Sequence, residues 1–573
     1  MKGLQDFSLH ALDISVFAFY VAAICGIGYW AGRKKKEQSE DYFLAGRTLP
    51  WYVVGSSFIA SNISTEHFIG MIGAAFVYGI CVAMSEWGNV VSFSFLIWLF
   101  IPFLLSARVF TTPEFMEKRF NATIRQFFAV VTIISNIVAF LAAVLYGGGL
   151  ALHKLFGWNL WVSIVIIGVL AGSWTVYGGL RSVAWMDLFT VVIMIAGGSL
   201  VTILGLYMLS GDSHSLVEGF RIMLERNQAQ SGVWKEVVAQ NARHIVQMEE
   251  YHRLSVVQPL THEVSPWLSL VTAFLSVSLW YNVINQFMIQ RVLGAKNAWH
   301  ARMGIVLAGY MKVILPFIVV VPGLILFAAY PEVMRLPWQE MRMEADKGYV
   351  HMLQTLLPIG LRGLFLAALF GAIQSTVNAV LNSTSTVFTL DIYHRLLKKN
   401  ASEKHLVLVG RVSTVLILFI SIFLAGFINR LGGSLFVYIQ SLYAFFAPPF
   451  AAIFLLGILF KRINAIGATA AVFLGFLFGI AVKVYIQVDP THPNWLAPYA
   501  NQSFLNWAIC AFTCVVVSLL TRPPSPCQVT DQLTINWKKL NIFDDLGRRW
   551  YHSVILWWGI FALLIIALVI VFW

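Results

Sequence analysis

Charged residues are scarce in this sequence. Asp, Glu, Lys and Arg make up 12% of its 573 residues, against roughly 25% in an ordinary soluble domain. A soluble chain of this length would divide into several domains joined by polar linkers, yet no such linker and no low-complexity segment interrupts it. Cysteine is sparse too. The five (Cys25, Cys81, Cys510, Cys514 and Cys527) contain no CxxC pair, which excludes a zinc ribbon and leaves no disulfide framework. Cys510 and Cys514 stand four apart in an apolar run and read as small packing residues. There is no P-loop and no nucleophile–base pair, so an enzyme is not indicated. Lys312 as a Schiff-base former has no reaction partner. The net charge of +12 would suit nucleic acid, but the basic residues fall in short clusters between apolar runs, where they set membrane orientation instead.

What fills the chain is apolar: 59% of residues are hydrophobic. A membrane span needs about 20 such residues. Fourteen runs qualify, near 11–31, 50–78, 83–105, 124–150, 157–177, 184–210, 265–290, 303–330, 360–390, 405–427, 433–459, 464–486, 503–521 and 551–573. The first lacks a basic start and ends in Arg33, Lys34, Lys35 and Lys36, a cytoplasmic anchor rather than a signal peptide. With Met1 outside, the inner loops hold that cluster, Arg47, the group Arg108, Lys118, Arg119 and Arg125, then Arg181, Arg291, Lys296 and Arg302. They go on to hold Arg395, Lys398, Lys399, Lys404, Arg411, Lys461 and Arg462, and finally Arg522, Lys538, Lys539, Arg548 and Arg549. The expectation is one transmembrane domain over 1–573 in a cell (plasma or inner) membrane, both termini extracytoplasmic. The long outer segments are 211–264, with helical character in Leu216–Gln228, and 331–359.

Polar groups inside spans are expensive and therefore functional candidates. The second span carries Ser61, Asn62, Ser64, Thr65, Glu66 and His67 at mid-depth. A helix broken there, with carbonyls freed to hold a cation, accounts for them. A buried unbroken helix with its hydroxyls bonded back to its own backbone is the plainer alternative. Lys312 lies about 15 Å past Arg302 at 1.5 Å per residue, too deep to snorkel, and Glu86 is its candidate partner. On the ninth span Ser375, Asn378 and Asn382 share one helical face. This face offers neutral oxygens suited to Na⁺, or else small-residue packing. The seventh span sets Ser278, Trp280, Tyr281, Asn282, Asn285 and Gln286 together, aromatics beside amides as suits a ring-shaped polar ligand, with an aromatic interface belt as the plainer alternative. Gln440 precedes the Pro448–Pro449 break in span eleven. Asp187 reads first as a solvated carboxylate at a helix start.

Seven ordered stretches resemble the sodium:solute symporter family, in particular its sodium/glucose cotransporter branch. They are Asp41 to Arg47; Ala60 to Ile63 with Glu66 to Gly70; Thr112 to Phe115; Tyr177 to Leu180 with Asp187; Gln286 with Ile289 to Arg291; Leu381 to Tyr393; and Tyr438 to Gln440 before Pro448 and Pro449. The resemblance implies an all-α leucine-transporter-like core. Its two inverted five-helix repeats would be 50–210 and 265–459, with a peripheral helix at 11–31 and three more in 464–573. It implies Na⁺ as coupling ion, held by the carbonyls of Ala60, Ile63 and Ala372 and the hydroxyls of Ser375 and Thr376. A second sodium would use Asp187 with the position of Asn378 and the next residue. That next residue is Ala379, which has no side-chain oxygen, so one sodium is expected. The sugar ligands map to Asn62, His67, Glu86, Asn89, Ser278, Lys312 and Gln440, with Tyr281 as inner gate and Met71 and Phe436 as outer gate. Asn282 stands where sugar transporters of the family carry Trp, which makes a more polar ligand such as a polyol plausible.

The function expected is sodium-coupled symport of a neutral polyhydroxyl solute of the glucose, galactose or myo-inositol type, in the lipid bilayer and without nucleic acid. The rival readings are another solute on the same scaffold (an amino acid, sialic acid or a vitamin), and a sugar sensor or channel that does not accumulate its ligand. An anionic solute would want a free Lys or Arg, and span four has none between Arg125 and Lys154. Glu66, His67 and Asp187 leave proton coupling as an alternative.

Overall fold

A segment in hydrocarbon must satisfy its own backbone, and a helix does so within one run. The structure is a computed structural model that describes residues 9–33, 38–249, 251–428, 435–489, 491–539, 546–547 and 549–573. It is all-helical, and among the described residues the β pairing amounts to two isolated bridges, Leu49–Ala295 and Gln258–Pro266. Lys34, Lys35, Lys36 and Arg548, read above as inner-loop charges, lie outside the described residues.

Among the described residues eleven helices are long and apolar enough to cross a membrane, and a twelfth crossing is the pair Trp267–Leu275 and Val277–Ile284, bent by 42°. Geometry hides two more. Leu160–Ser210 runs for 51 residues, about 76 Å at 1.5 Å per residue and twice the thickness of a bilayer core. It is two spans joined at Gly179, where φ 59° and ψ −163° break the helix. The loop expected between spans five and six is therefore one left-handed glycine, and a Cβ there would strike the Tyr42 carbonyl. The other hidden crossing is 51–78, whose two halves are each short because the helix stops at Asn62 and resumes at Glu66. The fourteen apolar runs thus correspond to fourteen crossings.

The first half of the second span, Trp51–Asn62, packs against Ala298–Val319, Leu160–Ser210 and Leu361–Val387. Spans two and eight touch through glycines: a Cβ on Gly55 would meet the Gly304 carbonyl, and one on Gly304 would meet Val54. Small residues of this kind let helix backbones close up where no hydrophobic effect drives them together. By contrast Ala11–Gly32 and Val554–Val571 bury few side chains and leave Phe19, Tyr29, Leu563 and Ile570 exposed, as lipid-facing helices do.

The long segments gather on one face. Leu216–Gln228 is helical as expected, and a second helix follows at Gly232–Ile245. From the same segment the buried Arg253 donates to the carbonyls of Phe76 and Val77, both at 2.7 Å, and closes the end of the second span. Asp13 accepts from the N–H groups of Gly360 (2.7 Å) and Gly363 (3.1 Å), which ties the first helix to the start of span nine. The Phe572 carbonyl accepts from Val256 N–H at 2.7 Å. Both ends of the described chain therefore reach the face that carries the long segments.

Candidate functional site

The second span breaks where its polar run lies. Ile63 leaves the helix with ψ 119°. Ser64 N–H, the donor that a continuous helix would give to Ala60, turns to Nδ1 of His67 (3.3 Å), and Glu66 N–H takes Ser64 Oγ (3.1 Å). The backbone resumes as a wide π-turn over Glu66–Met71, a form of helix frequent at functional sites. The seventh span repeats the device: a π-turn over Trp280–Ile284 ends at Asn285, which caps the next helix, Gln286–Leu293.

Between these breaks lies a cavity of about 150 Å³. Asn62, His67, Glu86, Asn89, Ser278 and Lys312 line it, as do Tyr281, Gln440, Met71 and Phe436. Lys312 Nζ contacts Glu86 Oε2 and Asn62 Oδ1. Glu86 Oε1 lies 3.3 Å from His67 Nε2, and Gln440 Nε2 donates to Glu66 Oε1 at 2.9 Å. The carboxylate near the outer end of span three thus does meet the lysine of span eight. Tyr443, one turn past Gln440, stacks on Phe140 (4.7 Å between ring centroids) and lies 5.6 Å from Tyr281, so aromatic rings form one end of the cavity.

Asn282 is not on the cavity wall. It is fully buried behind it, donating to Asn89 Oδ1 (2.6 Å) and Ser92 Oγ (2.9 Å), while Asn89 Nδ2 donates to Ser85 O (2.7 Å). Asn282 thus fastens a wall residue, Asn89, instead of facing the cavity. Sequence reasoning missed Tyr443, and also Tyr499 and Ser503 on span thirteen, which line the cavity as well. The i, i+3 step from Gln440 to Tyr443 and the i, i+4 step from Tyr499 to Ser503 were the available signals.

Next to the break, Thr376 Oγ1 lies 3.2 Å from Ser61 O and 3.1 Å from Ile63 O, donating to the span-two backbone. Ser375 Oγ donates to Asp187 Oδ1 (2.7 Å), and Ser57 Oγ donates to Asp187 Oδ2 (2.6 Å). Ala60 and Ala372 lie one turn before Ser64 and Thr376, all fully or almost fully buried. Hydroxyl and carbonyl oxygens buried beside a helix break are the kind of donors that a hard cation takes, so the residues fit Na⁺. Asp187 is not solvated, since it is 2% exposed inside the bundle. Asn378 Oδ1 is engaged by Thr175 Oγ1 at 2.8 Å, so Asp187 and Asn378 have different partners.

Away from the cavity, ion pairs tie the ends of several spans together. Arg125 joins Glu117 (2.5 Å) and Asp391 (2.6 Å), and Arg395 joins Glu117 (2.7 Å). Thr112 N–H donates to Gln286 Oε1 at 2.9 Å. The bonds from Arg395 and Arg125 hold the Glu117 carboxyl below its ordinary range.

The sequence profile of the sodium:solute symporter family matches residues 42–475. The chain is 33% identical over 555 residues to a sodium/glucose cotransporter of Vibrio parahaemolyticus, covering 94% of this chain and 96% of that one. It is 32% identical over 554 residues to a sodium/myo-inositol cotransporter of Mus musculus, covering 93% of this chain and 76% of the relative. Among solved structures, a Na⁺-coupled sialic acid symporter in its substrate-bound outward-open state superposes with a TM-score of 0.71 at 21% identity, covering 90% of this chain and 99% of that one. At that identity the likeness speaks for the fold, an all-α leucine-transporter-like membrane fold.

Proposed function

Because this chain belongs to the sodium:solute symporter family, we propose that its cavity carries a neutral polyhydroxylated solute, a sugar or cyclic polyol, across the membrane together with Na⁺. It is a multi-pass membrane protein and a secondary transporter, not an enzyme, and Na⁺ is its coupling ion. The observation that carries the solute class is the Lys312–Glu86 pair. Lys312 is the one Lys or Arg among the described cavity residues, and Glu86 already neutralises it. An anionic ligand would find no free cation, whereas hydroxyl groups would find Gln440, Asn62, His67 and Glu66. The relatives' solutes, glucose and myo-inositol, are of this class.

For sodium, carried as co-substrate, the proposed ligands are the carbonyls of Ala60, Ile63 and Ala372 and the hydroxyls of Ser375 and Thr376, with Asp187 fastening Ser375. One ion is proposed. Asn62, His67, Glu86, Asn89, Ser278, Lys312 and Gln440 would hold the solute, Asn282 acting through Asn89. Met71 and Phe436 would close the outer side, and Tyr281 with Phe140 and Tyr443 the inner. The repeats would be 50–210 and 265–459, and the face bearing Asp13 and Phe572 would be extracytoplasmic, since the basic clusters lie on the other. Alternating access follows: closing spans two and nine around the ion shapes the solute pocket, a coupling that must be reciprocal. One charge moving inward gains about 2.3 kcal/mol per 100 mV. A tenfold ion gradient adds about 1.4 kcal/mol, enough together for roughly 500-fold accumulation.

The test is uptake of labelled glucose, galactose and myo-inositol into proteoliposomes with Na⁺ or K⁺ outside. Sodium-driven accumulation of one solute, lost in S375A/T376A, is the expected result. Uptake that ignores sodium or only equilibrates would overturn symport and leave a sensor or channel. Exclusion of all three solutes would overturn the solute class alone.

A further inference from the structure

Arg291 has no part in the machinery above. It closes the helix Gln286–Leu293 at the end of the seventh span and is completely buried. Its Nη1 donates to the Phe287 carbonyl within its own helix, an ordinary use for an arginine near a helix C-terminus. That leaves Nε and Nη2, which have no hydrogen-bond partner among the described residues. A buried guanidinium edge without a partner is costly, and Nε with Nη2 is one of the edges that grips a carboxylate in two-point fashion.

The carboxylate that feels this charge is Asp187, and each group is the other's Coulombic partner. The helix bearing Arg291 packs on Trp51–Asn62, which carries Ser57, and on Leu361–Val387, which carries Ser375. These two serines are the residues that occupy the Asp187 oxygens. Empty, the cluster balances one negative charge against one positive. A cation beside Ser375 makes it net positive in a dry interior, where like charges repel strongly.

Resting on the sodium site proposed above, we infer that Arg291 is a tethered cation that competes with sodium for Asp187. It is a positioning residue that keeps the ion loosely held. When the ion departs, the free Nε–Nη2 edge takes its place at the carboxylate, so the empty carrier never contains an isolated buried charge. The consequence runs against the usual effect of a site mutation: deleting Arg291 tightens sodium binding.

The experiment titrates purified protein with NaCl at constant ionic strength, choline replacing sodium and no sugar present, and follows tryptophan fluorescence. R291M is expected to lower the half-saturating sodium concentration at least fivefold, with R291K within twofold of the parent. In proteoliposomes R291M would keep solute exchange with sodium on both sides, while net sodium-driven uptake slows. Should R291M not fold, R291Q carries the same charge deletion and retains a donor for the Phe287 carbonyl. Unchanged or weakened sodium binding in the neutral variant, or R291K behaving like R291M, overturns the inference. If the parent shows no sodium response, or S375A/T376A keeps it, the sodium site is what fails.

Discussion

Thr376 on the ninth span reaches the Ile63 carbonyl, 3.1 Å away, at the residue where the second span stops being helical. One hydroxyl thus fastens the two elements that would part when the proposed sodium site opens. Thr376→Val keeps the shape and removes the oxygen. Losing one such contact costs about 1–3 kcal/mol, so the half-saturating sodium concentration for uptake should rise about fivefold or more, at about 1.4 kcal/mol per tenfold. Thr376→Ser should restore it. A valine variant with unchanged sodium dependence would remove Thr376 from the ion site.

The Lys312–Glu86 pair makes a different prediction. Removing one member leaves a buried uncompensated charge, at a cost of about 3–5 kcal/mol. Lys312→Met and Glu86→Gln should each lower the thermal unfolding temperature markedly. The double variant should recover most of that loss, because both charges are gone. Solute uptake should stay absent in all three, since the cavity loses its donor and its acceptor. Recovery of uptake in the double variant would make the pair purely structural.

The membrane architecture was legible because span length and loop charge are written residue by residue. The broken second span was legible for a related reason: six polar residues at mid-depth have no place in an unbroken lipid-facing helix. Lys312 pointed to Glu86 because a deep lysine needs a carboxylate. What failed to show was lateral packing. Asn282 looks like a ligand beside Tyr281, and only the fold turns it toward Asn89 and Ser92. Asp187 looks like a surface helix start, and only the bundle around it buries it. Gly179 looks like part of a loop, yet the chain turns there on one residue with positive φ.

Asn282 makes its own prediction. In Asn282→Leu, Asn89 Oδ1 loses a buried donor and its side chain is free to turn. The solute concentration for half-maximal uptake should rise about tenfold, equivalent to about 1.4 kcal/mol, while the maximal rate changes little. Asn282→Asp keeps the size but turns the donor into an acceptor facing Asn89 Oδ1, and should be worse than leucine. Equal kinetics in all three proteins would show that the Asn89 orientation does not matter to the solute.

Asp346 lies outside the spans, on the helix Trp338–Leu356, and its carboxylate accepts from Leu435 N–H at 3.0 Å, the first residue of the helix that carries Phe436. Burial pushes its pKa from 3.8 to about 7, against the opposing pull of the Leu435 N–H and Arg342. The folded chain therefore holds this proton between about pH 4 and 7, where the unfolded chain has released it. A native state that binds more protons loses stability as pH rises. The contribution is complete below the lower value, declines across the window and is gone above about 7. Asp346→Asn keeps an acceptor for Leu435 N–H and never ionises. Its unfolding temperature should match the parent near pH 4, at the lower end of that window, and exceed it at pH 8. The parent's fall between those two pH values should be reduced in the variant. If the two proteins fall in parallel, the proton is held elsewhere and Asp346 is ionised in the folded state, as an ordinary helix-capping carboxylate would be.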